Sequence, residues 1–406
     1  MNTPDTPQKQ SITIFDTTLR DGEQWAGGAL RMKEKIEIAH QLSKTGVDVI
    51  EAGFPASSDL DFNSVRIIAE EVKGPRIAGL ARANRRDIER VAAALVCCAK
   101  PRIHVFIATS EIHMRHKLGK TPDQVLRSID DSVRFAKSCV QEKGDVEWSA
   151  EDASRSSINF LITAVRVAID AGATTINLPD TVGFVRPSPY ADMFRTLMAE
   201  VKPGPHIVFS AHVHNDRGLA IANSMAAIEA GARQVECSIR GVGERAGNAQ
   251  LEAVILNIMM SGDTPFTCNI DRTQLIPTAK LHAAFVPDIS VMLPVSGANA
   301  FAHGSGIHQD GMLKAGCYEY MEPSDYGHQE GTSFPLTRHS GMAGIGAVLN
   351  HQDVFLSPSE LSAFAEMFKN ASSDALETKG LRIIPPDMAA HWARNFVNQY
   401  CQKPAA

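Results

Sequence analysis

Two imidazoles, His212 and His214, stand one residue apart in the stretch FSAHVHNDRGL (209–219), at the end of an apolar run. Alternate residues of a strand point to the same side, so this spacing sets the two rings next to each other at the strand's end. Two neutral imidazoles and a carboxylate from another strand make a three-ligand site for a divalent cation, with positions left for water and substrate. Asp16 and Asp21, both within FDTTLRDGEQ (15–24), are the carboxylates that can complete it. Nitrogen and oxygen donors without thiolate suit Zn, Mn, Fe or Co, and Mg when water fills the shell. Arg20, next to Asp21, adds a guanidinium able to grip a carboxylate or to stabilise an enolate as charge develops. Against this stands a plainer reading, in which the histidines are hydrogen-bonded core residues and Arg20 is tied up in a loop ion pair.

Positioning such groups requires strands that end together. From residue 11 to about 260, short runs rich in β-branched residues alternate with longer stretches of helical period. The runs cover 11–17, 47–53, 76–81, 102–108, 145–150, 174–180, 206–214 and 234–240, and several intervening helices close on glycine, at Gly46, Gly172 and Gly231. Eight strand–helix units predict an α/β fold, a (β/α)8 TIM barrel. A doubly wound open sheet would be expected to carry a glycine-rich phosphate turn after its first strand, and none follows SITIFDT. Reactive groups of such barrels gather at the carboxyl ends of the strands. Those ends supply Asp16, Arg20, Asp21 and Glu23; Glu51; Glu147, Ser149 and Glu151; Asn177, Asp180 and Thr181; the two histidines; and Arg240, Glu244, Arg245 and Asn248. His104 reads as part of the barrel wall, and His113 and His116 as solvated.

Residues 1–10 are expected to be a flexible N-terminus and 11–270 the catalytic barrel. A small mixed linker subdomain (271–335) is expected to complete the active site, followed by a short helical C-terminal subdomain (336–406). The formal net charge of −6, with no basic run, argues against a nucleic-acid partner. No apolar stretch reaches the roughly 18 residues of a membrane span, and the polar start MNTPDTPQKQ resembles no targeting signal. Seven scattered cysteines without finger spacing point to a reducing, cytoplasmic home.

Four segments, FDTTLRDGEQ, LPDTVGF, HVHNDRGLAIANSMAAIEAGARQVECSIRGVGERAGNA and GANAFAHGSGIHQDGMLK, occur in this order. From residue 11 to about 345 the chain resembles the 2-isopropylmalate synthase family, metal-dependent condensing enzymes related to lyases on the same barrel. The resemblance implies a Claisen-type condensation of acetyl-CoA with a 2-keto acid, followed by thioester hydrolysis to a 2-substituted malate and CoA. It implies that Asp21, His212 and His214 hold a divalent cation (Mg, Mn, Zn or Co), with Asn248 in or near its shell. Arg20 would contact the keto acid and the forming alkoxide, and Thr181 the keto acid's carboxylate, with Ser149 and Asn177 also expected to bind substrate. Glu151 and His308 match the acid–base pair, and Tyr318 a tyrosine that reaches a neighbouring subunit's site, implying a homodimer with shared sites.

Departures bear on the substrate. Trp25-Ala26 replaces the usual pair after GEQ, Gly304 stands where a glutamate is common, and Arg338 replaces a lysine. Losing a carboxylate and gaining an arginine would favour a more anionic keto acid if both positions line the pocket. Phosphonopyruvate, used by phosphonomethylmalate synthases, and 2-oxoglutarate, used by homocitrate synthases, are such acids; neutral drift on a loop is the other reading. The chain ends near 406, so no leucine-sensing domain and no leucine feedback are expected. A metal-dependent aldolase or acyl-CoA lyase and a non-catalytic binding protein are the readings from other classes.

Overall fold

The computed structural model describes residues 9–259, 264–287, 289–319 and 321–400. Residues 1–8, most of the expected flexible N-terminus, lie outside the described residues. The chain divides into two compact units, Met1–Ile289 and Ser290–Ala406.

In the first unit the eight expected runs form a closed parallel barrel. Its strands are β1 (Thr13–Asp16), β2 (Val49–Glu51), β3 (Arg76–Arg82), β4 (Pro101–Ala108), β5 (Asp145–Glu151), β6 (Thr175–Asp180), β7 (Val208–Val213) and β8 (Gln234–Cys237). The TIM barrel expected from the sequence is therefore the fold observed. Eight helices follow the strands: α1 (Met32–Thr45), α2 (Asp59–Glu71), α3 (Arg85–Ala94), α4 (Pro122–Val140), α5 (Ile158–Asp170), α6 (Pro187–Val201), α7 (Ala220–Glu229) and α8 (Leu251–Met259). Their starts are marked chemically. Ser58 Oγ accepts from the Asp61 amide at α2, and Asn84 Oδ1 from the Asp87 amide at α3. Thr121 and Gln124 form a reciprocal capping box at α4, with Pro122 in its first turn. The buried face of α4, Val125, Ile129, Val133, Ala136 and Val140, keeps the three-and-four spacing that seats a helix on a sheet.

Strand alternation sorts β5 into two sets. Val146, Trp148 and Ala150 are fully buried apolar residues that belong with the helix layer, whereas Glu147, Ser149 and Glu151 take polar partners on the other side. The barrel interior therefore holds buried polar groups beside an apolar cluster of Phe15, Val49 and Ala78, and its base is plugged by Arg102. That guanidinium donates to Asp145, to Glu147 Oε2 at 2.8 Å and to Gln234 Oε1 at 2.8 Å.

Helix α9 (Leu275–Phe285) also belongs to this unit, because Thr278 Oγ1 bonds Gln41 and Thr45 of α1. The unit boundary therefore falls at 289/290, beyond the cut expected at 270. In the second unit, α10 (Gly306–Ala315) follows the Gly/His-rich segment. Helices α11 (Met342–Asn350), α12 (Pro358–Lys379) and α13 (Pro386–Tyr400) pack around Ile345, Leu349, Phe364, Phe368 and Ile384. No helix among the described residues is long and apolar enough to cross a membrane.

Asp16 shows how parity decides chemistry. The ring of Phe15 meets His104 edge-on inside the barrel, at a centroid distance of 5.9 Å, so the next residue faces the helix layer. There Asp16 is fully buried, accepts from the Thr18 amide and hydroxyl, and is pushed by burial up to about 7. Folding thus takes up a proton between about pH 4 and pH 7, and this group's contribution to stability declines across that window. For Asp16→Asn, denaturant unfolding at about pH 5 and about pH 8 should show a loss of stability smaller than the parent's by about 3 kcal/mol. Equal pH dependence in the two proteins would contradict the assignment.

Candidate active site

Strand β7 delivers His212 and His214 to the barrel's rim as the spacing predicts. Their Nε2 atoms lie 3.2 Å apart, and His214 Nε2 is 3.7 Å from Asp21 Oδ2. One ligand atom from each of the three residues falls within 4.8 Å of the others, and all three residues are buried. Burial holds both imidazoles down to about 4, so they are neutral at physiological pH with lone pairs available to a cation. Asp21 stays below its usual range despite burial, because Arg20 and then the two histidines favour its charge. Asn248 closes the group: its Nδ2 donates to Asp21 Oδ2 at 2.6 Å, and its buried Oδ1 has no hydrogen-bond partner among the described residues. The loop can turn it inward because Gly247, at φ +92°, passes where a Cβ would lie 2.1 Å from the Gly241 carbonyl. A neutral imidazole pair, a carboxylate and an orphaned amide oxygen are a donor set that fits a divalent cation. Asp16, the other carboxylate considered, faces the helix layer and does not belong to this set.

Arg20 is both ion-paired and available. Its Nε donates to Glu51 Oε2 at 2.7 Å and its Nη1 to Asp21 Oδ1 at 2.9 Å, while Nη2 makes no hydrogen bond among the described residues. The loop ion pair weighed from sequence exists, and it aims the guanidinium rather than using it up. Glu51 is fully buried; burial alone would raise its pKa, yet Arg20 and then His104 hold it well below the carboxylate range.

His104, read as barrel wall, instead projects inward, with Nδ1 2.7 Å from Glu51 Oε1 and Nε2 2.6 Å from Ser149 Oγ. Asn177 Nδ2 donates to the same hydroxyl at 2.9 Å, and its buried Oδ1 has no hydrogen-bond partner among the described residues. His104, Glu147 and Glu236 form a second cluster of possible ligands. Both ring nitrogens of His104 are already engaged and Glu147 is bound to Arg102, so this cluster is an internal polar network. Glu236 was missed by sequence reasoning. It pairs with His212 in the β7–β8 register and sets Oε2 2.8 Å from His212 Nδ1, off the line of a good hydrogen bond. An acceptor oxygen beside Nδ1 favours the Nδ1–H tautomer and leaves Nε2 bare, while burial pushes the Glu236 carboxyl itself up to about 7. A carboxylate within the apolar run QVEC was the available signal.

Arg20, Asp21, Ser149, Glu151, Asn177, Thr181, His212 and His214 all line one cavity of about 250 Å³. Phe54, Leu80 and Phe106, which the sequence did not single out, give it an apolar side. Thr181 Oγ1 accepts from the Asp152 amide at 2.9 Å, and Glu151 pairs with Lys117. Trp25 folds over its own turn, where a Cβ on Gly28 would strike the indole. In the C-terminal unit, His308 and Tyr318 are stacked, with centroids 3.9 Å apart and planes 12° from parallel. His303, hydrogen-bonded to Glu319, lies beside them. His113 is half-buried near Asp152, at 3.6 Å, rather than fully solvated.

The HMGL-like family model matches residues 11–281, and a homocitrate synthase post-HMGL domain-like model matches 295–375. A 2-isopropylmalate synthase of Caulobacter sp. (strain K31) is 47% identical over 91% of this chain and 71% of its own length. One of Caulobacter vibrioides (strain NA1000 / CB15N) is 49% identical over 82% of this chain and 64% of its own. One of Nitrobacter hamburgensis is 43% identical over 96% and 75%. The chain thus spans between 64% and 75% of the length of these curated relatives. Among solved structures, a Bacillus subtilis HMG-CoA lyase has a TM-score of 0.59 at 22% identity, covering 71% of this chain and 97% of that one, a likeness of fold. By these matches the chain belongs to the HMGL-like family and, within it, to the 2-isopropylmalate synthase family.

Proposed function

We propose that the protein is a cytoplasmic acyltransferase that condenses acetyl-CoA with a 2-keto acid and hydrolyses the thioester, as a 2-isopropylmalate synthase does. The observation that carries this reading is the convergence, in one cavity, of the Asp21–His212–His214 donors with an arginine whose Nη2 is uncommitted. A divalent cation (Mg, Mn, Zn or Co) held by Asp21, His212 and His214, with Asn248 beside it, would supply Lewis-acid polarisation of the keto carbonyl.

The chain's own residues do the rest. Arg20 turns Nη2 to the keto acid and to the oxygen that gains charge during addition. Thr181, whose oxygen already accepts a hydrogen bond from the Asp152 amide, donates one from its hydroxyl to the substrate carboxylate. Ser149 and Asn177 complete the polar floor. Glu151 and His308 act as the acid–base pair: one takes a proton from the acetyl methyl, the carbanion adds to the keto carbon, the resulting alkoxide takes a proton from the other, and water then splits the thioester to the carboxylic acid and CoA. His308 and Tyr318 belong to the linker segment, and a homodimer with shared sites would let one subunit's pair complete its neighbour's barrel.

Phe54, Leu80 and Phe106 support a keto acid with an apolar side chain, and Arg245 in the same cavity is already bound to Asp216. With acetyl-CoA, a divalent metal and a keto-acid panel, free-thiol release should give 2-oxoisovalerate a kcat/KM at least about tenfold above 2-oxoglutarate or phosphonopyruvate. Preference for a charged acid would overturn the substrate assignment, and absence of thiol release with every acid would overturn the reaction. Glu51 is a positioning residue in this account. Glu51→Gln should raise the KM for the keto acid and lower kcat/KM by about 10²–10³, and unchanged steady-state kinetics would contradict its role.

A further inference from the structure

Helix α1 buries Lys35, Ile38, Ala39 and Leu42, a three-and-four stripe in which one position is a lysine. Lys35 is 1% exposed, and its Nζ reaches carboxylates from two separate segments. It donates to Glu23 Oε2 at 2.6 Å and to Asp61 Oδ1 at 2.7 Å. The other two carboxylate oxygens are also engaged. Glu23 Oε1 accepts from the Leu30 amide at 2.9 Å, while Asp61 Oδ2 accepts from the Phe54 amide and, at 3.3 Å, from Ser57 Oγ. Gly53 lets the chain close on Asp61: its φ is +155°, and a Cβ there would lie 2.7 Å from Asp61 Oδ1.

Both carboxylates belong to segments that line the barrel cavity. Glu23 stands between Asp21 and Gln24, which together with Arg20 face the cavity from the β1–α1 loop. Asp61, in the first turn of α2, holds the amide of Phe54, whose ring faces the same cavity from the β2–α2 loop. Lys35 therefore ties the loop that bears Arg20 and Asp21 to the loop that bears part of the apolar side.

Exchanging a buried ion pair for apolar packing is often neutral for stability. What the ammonium adds is direction, because it sets the spacing of two loops whose residues must meet one substrate. We propose that Lys35 is a positioning residue that sets keto-acid selectivity by holding Phe54 at a fixed distance from Arg20. The role rests on the condensation reading above. 2-Oxoisovalerate and pyruvate share the keto-acid head and differ only by two methyl groups. An apolar wall at a fixed distance from the head group discriminates between them, and a loose wall does so less.

Steady-state thiol release with acetyl-CoA and a divalent metal, measured with each of these two acids, tests the role. The readout is the ratio of the two kcat/KM values, 2-oxoisovalerate over pyruvate. The folded fraction of enzyme cancels in that ratio, so a merely structural role leaves it unchanged. In Lys35→Met the ratio should fall at least about tenfold below the parent's, through a higher KM for 2-oxoisovalerate. Asp61→Asn keeps an oxygen for the Phe54 amide and leaves the Lys35–Glu23 pair in place, yet it should lower the ratio about fivefold. It keeps the test decisive should Lys35→Met fail to fold. Lys33→Met, at an exposed position of α1, should match the parent. A parental ratio in whichever of the Lys35 and Asp61 variants folds, or an equal fall in Lys33→Met, would overturn the role while leaving the condensation reading intact. No thiol release by the parent with either acid would overturn that reading, and this role with it.

Discussion

The Arg20–Glu51 ion pair is the interaction on which the barrel's chemistry turns. Glu51 has no access to water, and a buried carboxylate is stable as an anion only when paired and hydrogen-bonded. Arg20, His104 and the Thr17 hydroxyl all supply that pairing. In return Glu51 fixes one edge of the guanidinium and Asp21 fixes a second, which leaves the third aimed at the cavity. Removing either carboxylate would free a long cationic side chain to wander, and the donor would lose its direction before it lost its charge.

From that pair the polar interior extends in two directions. Upward it reaches Asp21 and the two histidines, where burial keeps the imidazoles neutral and the Arg20 guanidinium keeps the carboxylate charged. Downward it runs through His104 and Ser149 to Asn177, and through Glu147 and Gln234 to Arg102 at the base. On strands such as β5 the apolar residues lie under the helices, so packing stabilises the wall, while hydrogen bonds and a small apolar cluster of Phe15, Val49 and Ala78 order the inside. Rigidity of the wall gives the rim its geometry, since ligands that sit on strands are held more closely than ligands on loops.

Much of this was legible in residue order. Eight β-branched runs separated by helical stretches specify the barrel, and the His-x-His spacing specifies two rings on one side of β7. Parity at β1 was not legible. Asp16 and Asp21 were equal candidates because only the closed barrel, which turns Phe15 onto His104, sends Asp16 to the helices. The same constraint hid His104 and Glu236, whose inward direction depends on register with β5 and β7 rather than on their own strands. In the C-terminal unit the Gly/His-rich segment has no period to read. Its shape comes from non-local bonds such as His303 to Glu319 and Gln309 to the Pro335 carbonyl.

All of the chemistry assigned to the barrel presumes that two bare Nε2 atoms and one carboxylate oxygen grip a single cation. Equilibrium dialysis against Mn²⁺, with metal counted per chain, addresses this most directly. The account predicts one tightly held ion in the parent and loss of that ion in Asp21→Ala and in His214→Ala, both still folded. Full metal occupancy in either variant would contradict it.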